Sequence, residues 1–198
     1  MDMSAIFSLS YGLYVLSVRD GARDNACIVN TVIQITQEPL RVAVCVNKLN
    51  HTGEILSKTG VFNVSVLSEE ADMDLFRHFG FQSGREVDKF ENRNDPVSEN
   101  GLRYLDKACC AVISGKVYQT VDCGTHVMYL ADVTDMKAFA GAPPMTYAYY
   151  HQNVKPAKKP EKRGYTCTIC GYHYDGEPLP PDFICPICKH GAEALEKD

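Results

Sequence analysis

The sequence predicts a mostly β chain: a barrel of short strands followed by a small module stapled by metal. Three observations carry this. Six runs rich in Val, Ile, Thr and Tyr alternate with turns through the first 150 residues, at 13–20, 26–36, 41–47, 62–67, 108–121 and 126–135. Helical spacing is confined to short stretches at 2–10, 51–58 and 71–79. The last 34 residues are too few for a core of their own, yet they hold four cysteines in two C-x-x-C pairs.

Each element has a local cause. Asp20-Gly21 is a turn pair between the first two runs. "IVNT" ends the first half of the 26–36 run, and Pro39 marks the next turn. Asn50 and Thr52 stand where an N-cap and its turn would open the helix at 51–58. Asp72, Leu75, Phe76 and Phe79 follow helical spacing, with Gly80 as the stop. Cys109 and Cys110 are adjacent, so in a strand they point to opposite faces. With Cys27, Cys45 and Cys123 they make five cysteines outside the tail, in apolar contexts that read as reduced and mostly buried.

Composition excludes several classes. "MDMSAIFSLS" has neither the basic start nor the apolar run of a secretory signal, and no stretch approaches the roughly 20 apolar residues of a membrane span. The expectation is a cytoplasmic chain without a membrane partner. No G-x-G-x-x-G follows a strand, which argues against a Rossmann nicotinamide domain. Net charge is −5, and a cluster of basic residues falls in "HQNVKPAKKPEKRG". That stretch reads as a solvated tether, able to span on the order of 40 Å at about 3.1 Å per residue, rather than as a nucleic-acid site. The expected plan is a domain at 1–150, a linker at 151–164 and a tail domain at 165–198.

In the tail, Cys167 and Cys170 form one pair and Cys185 and Cys188 the other, with 14 residues between. Two such turns facing each other make a tetrahedral S4 site, which suits zinc or iron. Two disulfides would need an oxidising compartment, and a redox dithiol would need only one pair. Tyr165, Tyr172, Tyr174 and Phe183 supply the aromatic packing that so short a module needs.

The stretches "YTCTICGYHYDG" and "DFICPICKHG" resemble rubredoxin, the one-iron electron carrier. The resemblance implies one iron per subunit on Cys167, Cys170, Cys185 and Cys188, with Cys170 and Cys188 nearest solvent as the electron exit. The loop between the pairs is short, as in the rubredoxin-like tails of rubrerythrins. Phe183 and Ile184 replace an acidic or amide residue and a Trp, and Leu195 replaces a Phe. Lys189 stands where glycine is common, at a position expected to need positive φ. A zinc ribbon is the alternative.

In the first domain, "IVNT", "VNKLNHTGEIL" and "DCGTHVMYLADV", in that order, resemble the flavin reductase-like family with its FMN-binding split barrel. The resemblance implies that Val29, Asn30 and Thr31 lie along the flavin ring and ribityl chain. It places Asn47, Lys48, Asn50 and Thr52 around the phosphate, at a helix start suited to anions. His126 matches a histidine near the reactive face and is the expected catalytic residue. "FGFQSGREVDKF" and "PPMTYAYYH" add to the likeness, with packing as their expected role. The whole chain resembles the high-molecular-weight rubredoxins, in which a flavin reductase-like domain is fused to rubredoxin. That implies NAD(P)H as electron donor, FMN and iron as carriers, a flavodiiron-type O2 or NO reductase as acceptor, and a homodimer. The alternatives are a free-flavin reductase with a structural zinc tail, and a non-enzymatic flavin- or metal-binding module.

Overall fold

The computed structural model describes residues 2–156 and 164–197. The chain divides into two compact units, 1–155 and 156–198. In the first, seven strands form one antiparallel sheet: β1 (Tyr14–Asp20), β2 (Arg23–Val29), β3 (Val32–Gln37), β4 (Leu40–Asn47), β5 (Val61–Leu67), β6 (Cys109–Asp122) and β7 (His126–Ala138). Their spatial order is β2-β1-β5-β6-β7-β4-β3.

That order forces the sheet to curl. β2 and β3 lie at opposite edges, yet only Asn30 and Thr31 separate them in the chain. Laid flat, seven strands would hold the two edges about 29 Å apart. Three Cα–Cα steps reach at most about 11 Å, so the edges must come together and the sheet must close on itself. The run at 26–36 is therefore two strands with a corner, and the corner sits where the barrel is split. Cys45 N–H donates to Thr31 O at 3.0 Å, and the Tyr14 hydroxyl reaches from β1 to Val32 O at 3.4 Å. Bulges at Gln34/Thr36, Val66/Leu67, Ser114/Gly115 and Val117/Gln119 supply the bending.

β1 and β2 are buried on both faces. Leu16, Val18, Cys27 and Val29 point into the barrel with Val42, Val44, Phe62 and Tyr129. Helix α1 (His51–Thr59) adds Ile55 and Leu56 to this core and stops at Gly60, whose φ is +67°. The opposite side chains, Leu13, Val15 and Ala26, pack beneath Phe76, Phe79, Phe90, Met145 and Tyr150.

Three sequence expectations change. The helix expected at 2–10 is a short 3-10 turn, Met3–Ser8. The helix expected at 71–79 is one turn, Met73–Phe76, capped by the Asp72 side chain, and it widens into a π turn at Arg77–Phe81. The start of the expected tether is folded: Tyr150–Val154 forms another π turn, Val154 packs on the core, and Lys155 N–H donates to Tyr150 O. The tether's middle, 157–163, lies outside the described residues.

The second unit pairs β8 (Tyr165–Cys167) with β9 (His173–Tyr174) and β10 (Leu195–Lys197). Cys167, Cys185, Ala194 and Leu195 form its core, ringed by Tyr165, Tyr172, Tyr174 and Phe183. Among the described residues, no helix is long and apolar enough to cross a membrane.

Barrel closure can be tested from inside. A Cβ on Gly115 would sit 2.4 Å from the fully buried Phe62 ring. Gly115→Ala is expected to destabilise the first unit by about 1–3 kcal/mol in urea unfolding, because neither ring nor strand has room to yield. A neutral result would mean that the β6 kink is not packed against Phe62.

Candidate functional site

A cleft of about 370 Å³ opens at the split of the barrel. Val29, Asn30 and Thr31 reach it from the β2–β3 corner, Asn47 from the end of β4, Asn50 from the start of α1, and His126 from the start of β7. The sheet register brings these together: Asn47 lies opposite His126 on paired strands, and Lys48 N–H donates to Thr125 O at 3.0 Å.

The lining presents hydrogen-bond donors. Asn30 Oδ1 accepts from the Thr31 hydroxyl at 3.2 Å, and Asn47 Oδ1 accepts from Leu49 N–H at 2.9 Å. Each amide oxygen is thus engaged locally, and each Nδ2 has no partner among the described residues. His126 Nδ1 lies 2.9 Å from Thr125 Oγ1, which leaves Nε2 for a ligand. Flat walls complete the cleft: Ile28 and Phe76, Gly80 and Phe81 of the first π turn, and Tyr147 and Tyr150 near the second. A cleft of this size, apolar on its faces and donor-rich at its edge, fits a planar heteroaromatic group bearing carbonyl or phosphate oxygens.

Two of the sequence-derived residues stand outside the lining. Thr52 is 2% exposed, and its hydroxyl accepts from Asn25 Nδ2 at 2.9 Å. The Lys48 ammonium is held by both oxygens of Asp122, at 2.7 and 2.8 Å, and this contact keeps the Asp122 carboxyl below its usual range. Lys48 therefore ties the β6–β7 hairpin, and with it His126, to the β4–α1 turn. The sequence reading missed Cys45, Gly80, Phe81, Tyr147, Tyr150 and Lys155, all in the lining. For Gly80, Phe81, Tyr147 and Tyr150 the signal was present in "FGFQSGREVDKF" and "PPMTYAYYH", aromatic-rich stretches without strand or helix periodicity, whereas nothing around Cys45 or Lys155 marked them. Of the five other cysteines, Cys27 and Cys109 are buried, Cys45 and Cys110 are half-buried, and Cys123 is exposed, contrary to the mostly buried expectation.

In the second unit the four sulfurs of Cys167, Cys170, Cys185 and Cys188 lie within 4.8 Å of one another. Cys167 and Cys188 approach to 3.5 Å, as do Cys170 and Cys185. A tetrahedral S4 site with metal–sulfur bonds near 2.3 Å has edges of about 3.8 Å, whereas a disulfide needs about 2.05 Å. The cluster has the spacing of metal ligands. Burial pushes the Cys185 thiol up, but the N–H groups of Cys188 and Ile187 outweigh it and take the group down to about 6. The Cys167 thiol is lowered in the same way against its burial, by the N–H groups of Ile169 and Cys170. Each knuckle thus favours its inner sulfur as a thiolate. Cys170 is exposed and Cys188 half-buried, on the outer side.

Together these features define a two-module chain, a ligand-holding split barrel joined to a four-thiolate metal module. Residues 6–158 match the flavin reductase like domain, and residues 165–196 match the rubredoxin-like domain of rubrerythrin. The chain belongs to the flavin reductase-like family. It is 40% identical to the High molecular weight rubredoxin of Moorella thermoacetica, with both chains covered in full. It is 36% identical to the Ferric-chelate reductase (NAD(P)H) of Archaeoglobus fulgidus, over 81% of this chain and 94% of that one. Among solved structures, the NADH:FAD oxidoreductase SgcE6 of Streptomyces globisporus C-1027 shares the fold, with a TM-score of 0.63 at 21% identity over 72% of this chain and 84% of that one.

The second knuckle contains a testable strain. Lys189 adopts φ +63°, while the equivalent position after the first pair is Gly171 at +74°. A left-handed lysine costs about 1–2 kcal/mol that glycine avoids. Lys189→Gly is expected to stabilise the metal module by about 1 kcal/mol, read as a higher temperature for loss of the metal–thiolate absorption. A lower temperature would mean that the lysine side chain holds the knuckle.

Proposed function

We propose that the chain is an NAD(P)H-dependent oxidoreductase that holds FMN in the split-barrel cleft and one iron on Cys167, Cys170, Cys185 and Cys188, and that delivers electrons to a flavodiiron-type protein. The observation that carries this reading is the meeting of Val29, Asn30, Thr31, Asn47, Asn50 and His126 in one cleft, in a chain that also carries a complete S4 cluster. The names of the relatives support it: one, matched over the full length of both chains, is a high molecular weight rubredoxin, and another is a ferric-chelate reductase using NAD(P)H. When bound, FMN accepts a hydride as an electron pair and gives electrons up singly, and the iron takes them one at a time.

The residues divide the work. With FMN bound, the Nδ2 donors of Asn30 and Asn47 would be available to its oxygens, and Phe81 and Tyr147 would line the cleft beside it. His126 Nε2 stands at the cleft as the group able to hold or move a proton. In the second unit, backbone N–H groups aimed at the inner sulfurs offset thiolate charge, which would favour the reduced, more negatively charged state of a bound iron. Cys170 and Cys188 give the outward route. A homodimer is supported by the β3 edge, where every residue is half-buried or exposed and Ile33 is 54% accessible. Zinc in place of iron would favour the second reading, a free-flavin reductase with a structural tail. Metal analysis of protein from its native host separates the two.

Ligand placement is tested by affinity. Asn47→Ala and Asn50→Ala are each expected to weaken FMN by about 1–2 kcal/mol in a fluorescence titration. Lys48→Ala should cost less than about 1 kcal/mol, since its ammonium is already paired at the surface. The reverse ranking would put Lys48 on the phosphate.

The route is tested by truncation. A chain ending at Pro156 keeps Val154 and Lys155 in place and is expected to bind FMN and to be reduced by NAD(P)H as fast as the whole chain. Its reduction of a flavodiiron protein should collapse, and adding the separate tail should restore only part of the rate, because tethering supplies up to millimolar effective concentration. Undiminished reduction by the truncated chain would take the metal off the route.

A further inference from the structure

Lys89 is a buried lysine without an acidic partner. It is 1% exposed, and no carboxylate pairs with it among the described residues. Burial lowers the affinity of its amine for a proton. An ammonium so placed is tolerated only when oxygens replace its water. Here the oxygens are backbone carbonyls. Nζ donates to His78 O and, at 2.7 Å, to Gln82 O. The Lys89 carbonyl lies 2.8 Å from His78 Nε2.

Those carbonyls belong to the π turn Arg77–Phe81 and to its cap, Gln82. A helical end leaves carbonyls unpaired and carries partial negative charge, so a cation there satisfies both needs. π turns are uncommon and occur frequently at functional sites. This one carries Gly80 and Phe81, which form a wall of the cleft. Gly80 is pressed toward the strands: a Cβ there would meet Ile28 Cγ1 at 3.2 Å, and Ile28 lines the same cleft. Phe79, the residue before, is anchored in the core against Phe90, the neighbour of Lys89, with ring centroids 5.8 Å apart. The turn is therefore gripped at two points by residues 89 and 90.

We propose that Lys89 is a positioning residue: its buried ammonium fixes the π turn whose Gly80 and Phe81 wall the cleft, and so sets the fit of the flavin ring. The proposal rests on the reading that the cleft holds FMN. Lys89 touches no ligand itself. It acts through the carbonyls of His78 and Gln82, so its loss affects every ligand that uses the wall, whatever the ligand's phosphate content.

The test uses the full chain stripped of flavin, titrated with FMN and with riboflavin. Lys89→Met is expected to weaken both by about tenfold, leaving their ratio unchanged, and Lys89→Arg should recover most of the loss because a cation returns to the carbonyls. Gly115→Ala, which destabilises the barrel away from the cleft, serves as the control for a general loss of stability and should leave both affinities in place. The chain has no tryptophan, so Phe81→Trp gives a single reporter of the wall, and its flavin quenching should fall when Lys89→Met is added. A folded Lys89→Met chain that binds both flavins as tightly as wild type overturns the proposal. Wild type that binds neither flavin overturns both the proposal and the reading of the cleft. If Lys89→Met does not fold, hydrogen exchange on the flavin-free wild type decides. Protected amides at 79–82 support a wall held in advance, and exchange as fast as at the open 123–125 turn overturns it.

Discussion

The structure depends on one covalent constraint. Two residues, Asn30 and Thr31, join strands at opposite edges of a seven-stranded sheet. Closure follows from chain length alone, and the point of closure cannot be sealed by a regular ladder because the chain itself passes through it. What remains is a seam lined by a strand corner, the ends of β4 and β7, and the start of a helix. Strand ends offer side-chain amides and unpaired donors, which a strand interior does not. The cleft is a consequence of how the barrel closes, and its donor-rich edge is a consequence of which elements end there.

The walls come from another source. β1 and β2 are buried on both faces, so segments outside the barrel must cover their outer side chains. The covering pieces are irregular: the turn at 73–81, the loop through Phe90 and Leu105, and the segment 145–154. Covering the strands and walling the cleft are one task for them. Phe76 and Tyr150 pack on each other with centroids 4.5 Å apart and line the cleft as well. A lysine capping one of these turns thus acts on the ligand without approaching it. The metal module needs none of this. Its two knuckles, three short strands and aromatic ring form a separate core in which the thiolates replace the aliphatic interior that so few residues cannot build.

Much of the fold was legible because strand alternation and turn residues are local signals. The run at 108–121 became β6 and that at 126–135 became β7 with only their ends moved. The four metal ligands were legible for the same reason, since C-x-x-C spacing states geometry directly. Two of the three helical stretches, 2–10 and 71–79, were overstated: Leu75, Phe76 and Phe79 do share one buried side, but the chain leaves the α-helix after Phe76 and widens into a π turn. Thr52 shows the limit at the site. Its place two residues after Asn50, in the stretch that resembles the family's phosphate turn, suggested a ligand contact, and whether its hydroxyl faces the cleft or Asn25 is decided by strand β2, 27 residues away. The aromatic walls had no period to announce them, because their places are fixed by what they cover.

The proposed function requires electrons to pass from the cleft to the S4 centre within one chain. Anaerobic stopped-flow mixing of the intact FMN- and iron-loaded protein with NADH tests this most directly. The flavin absorption should bleach first. The ferric–thiolate absorption should follow at a rate independent of protein concentration. Iron that stays oxidised while the flavin is fully reduced, or that is reduced only in proportion to protein concentration, would contradict the account.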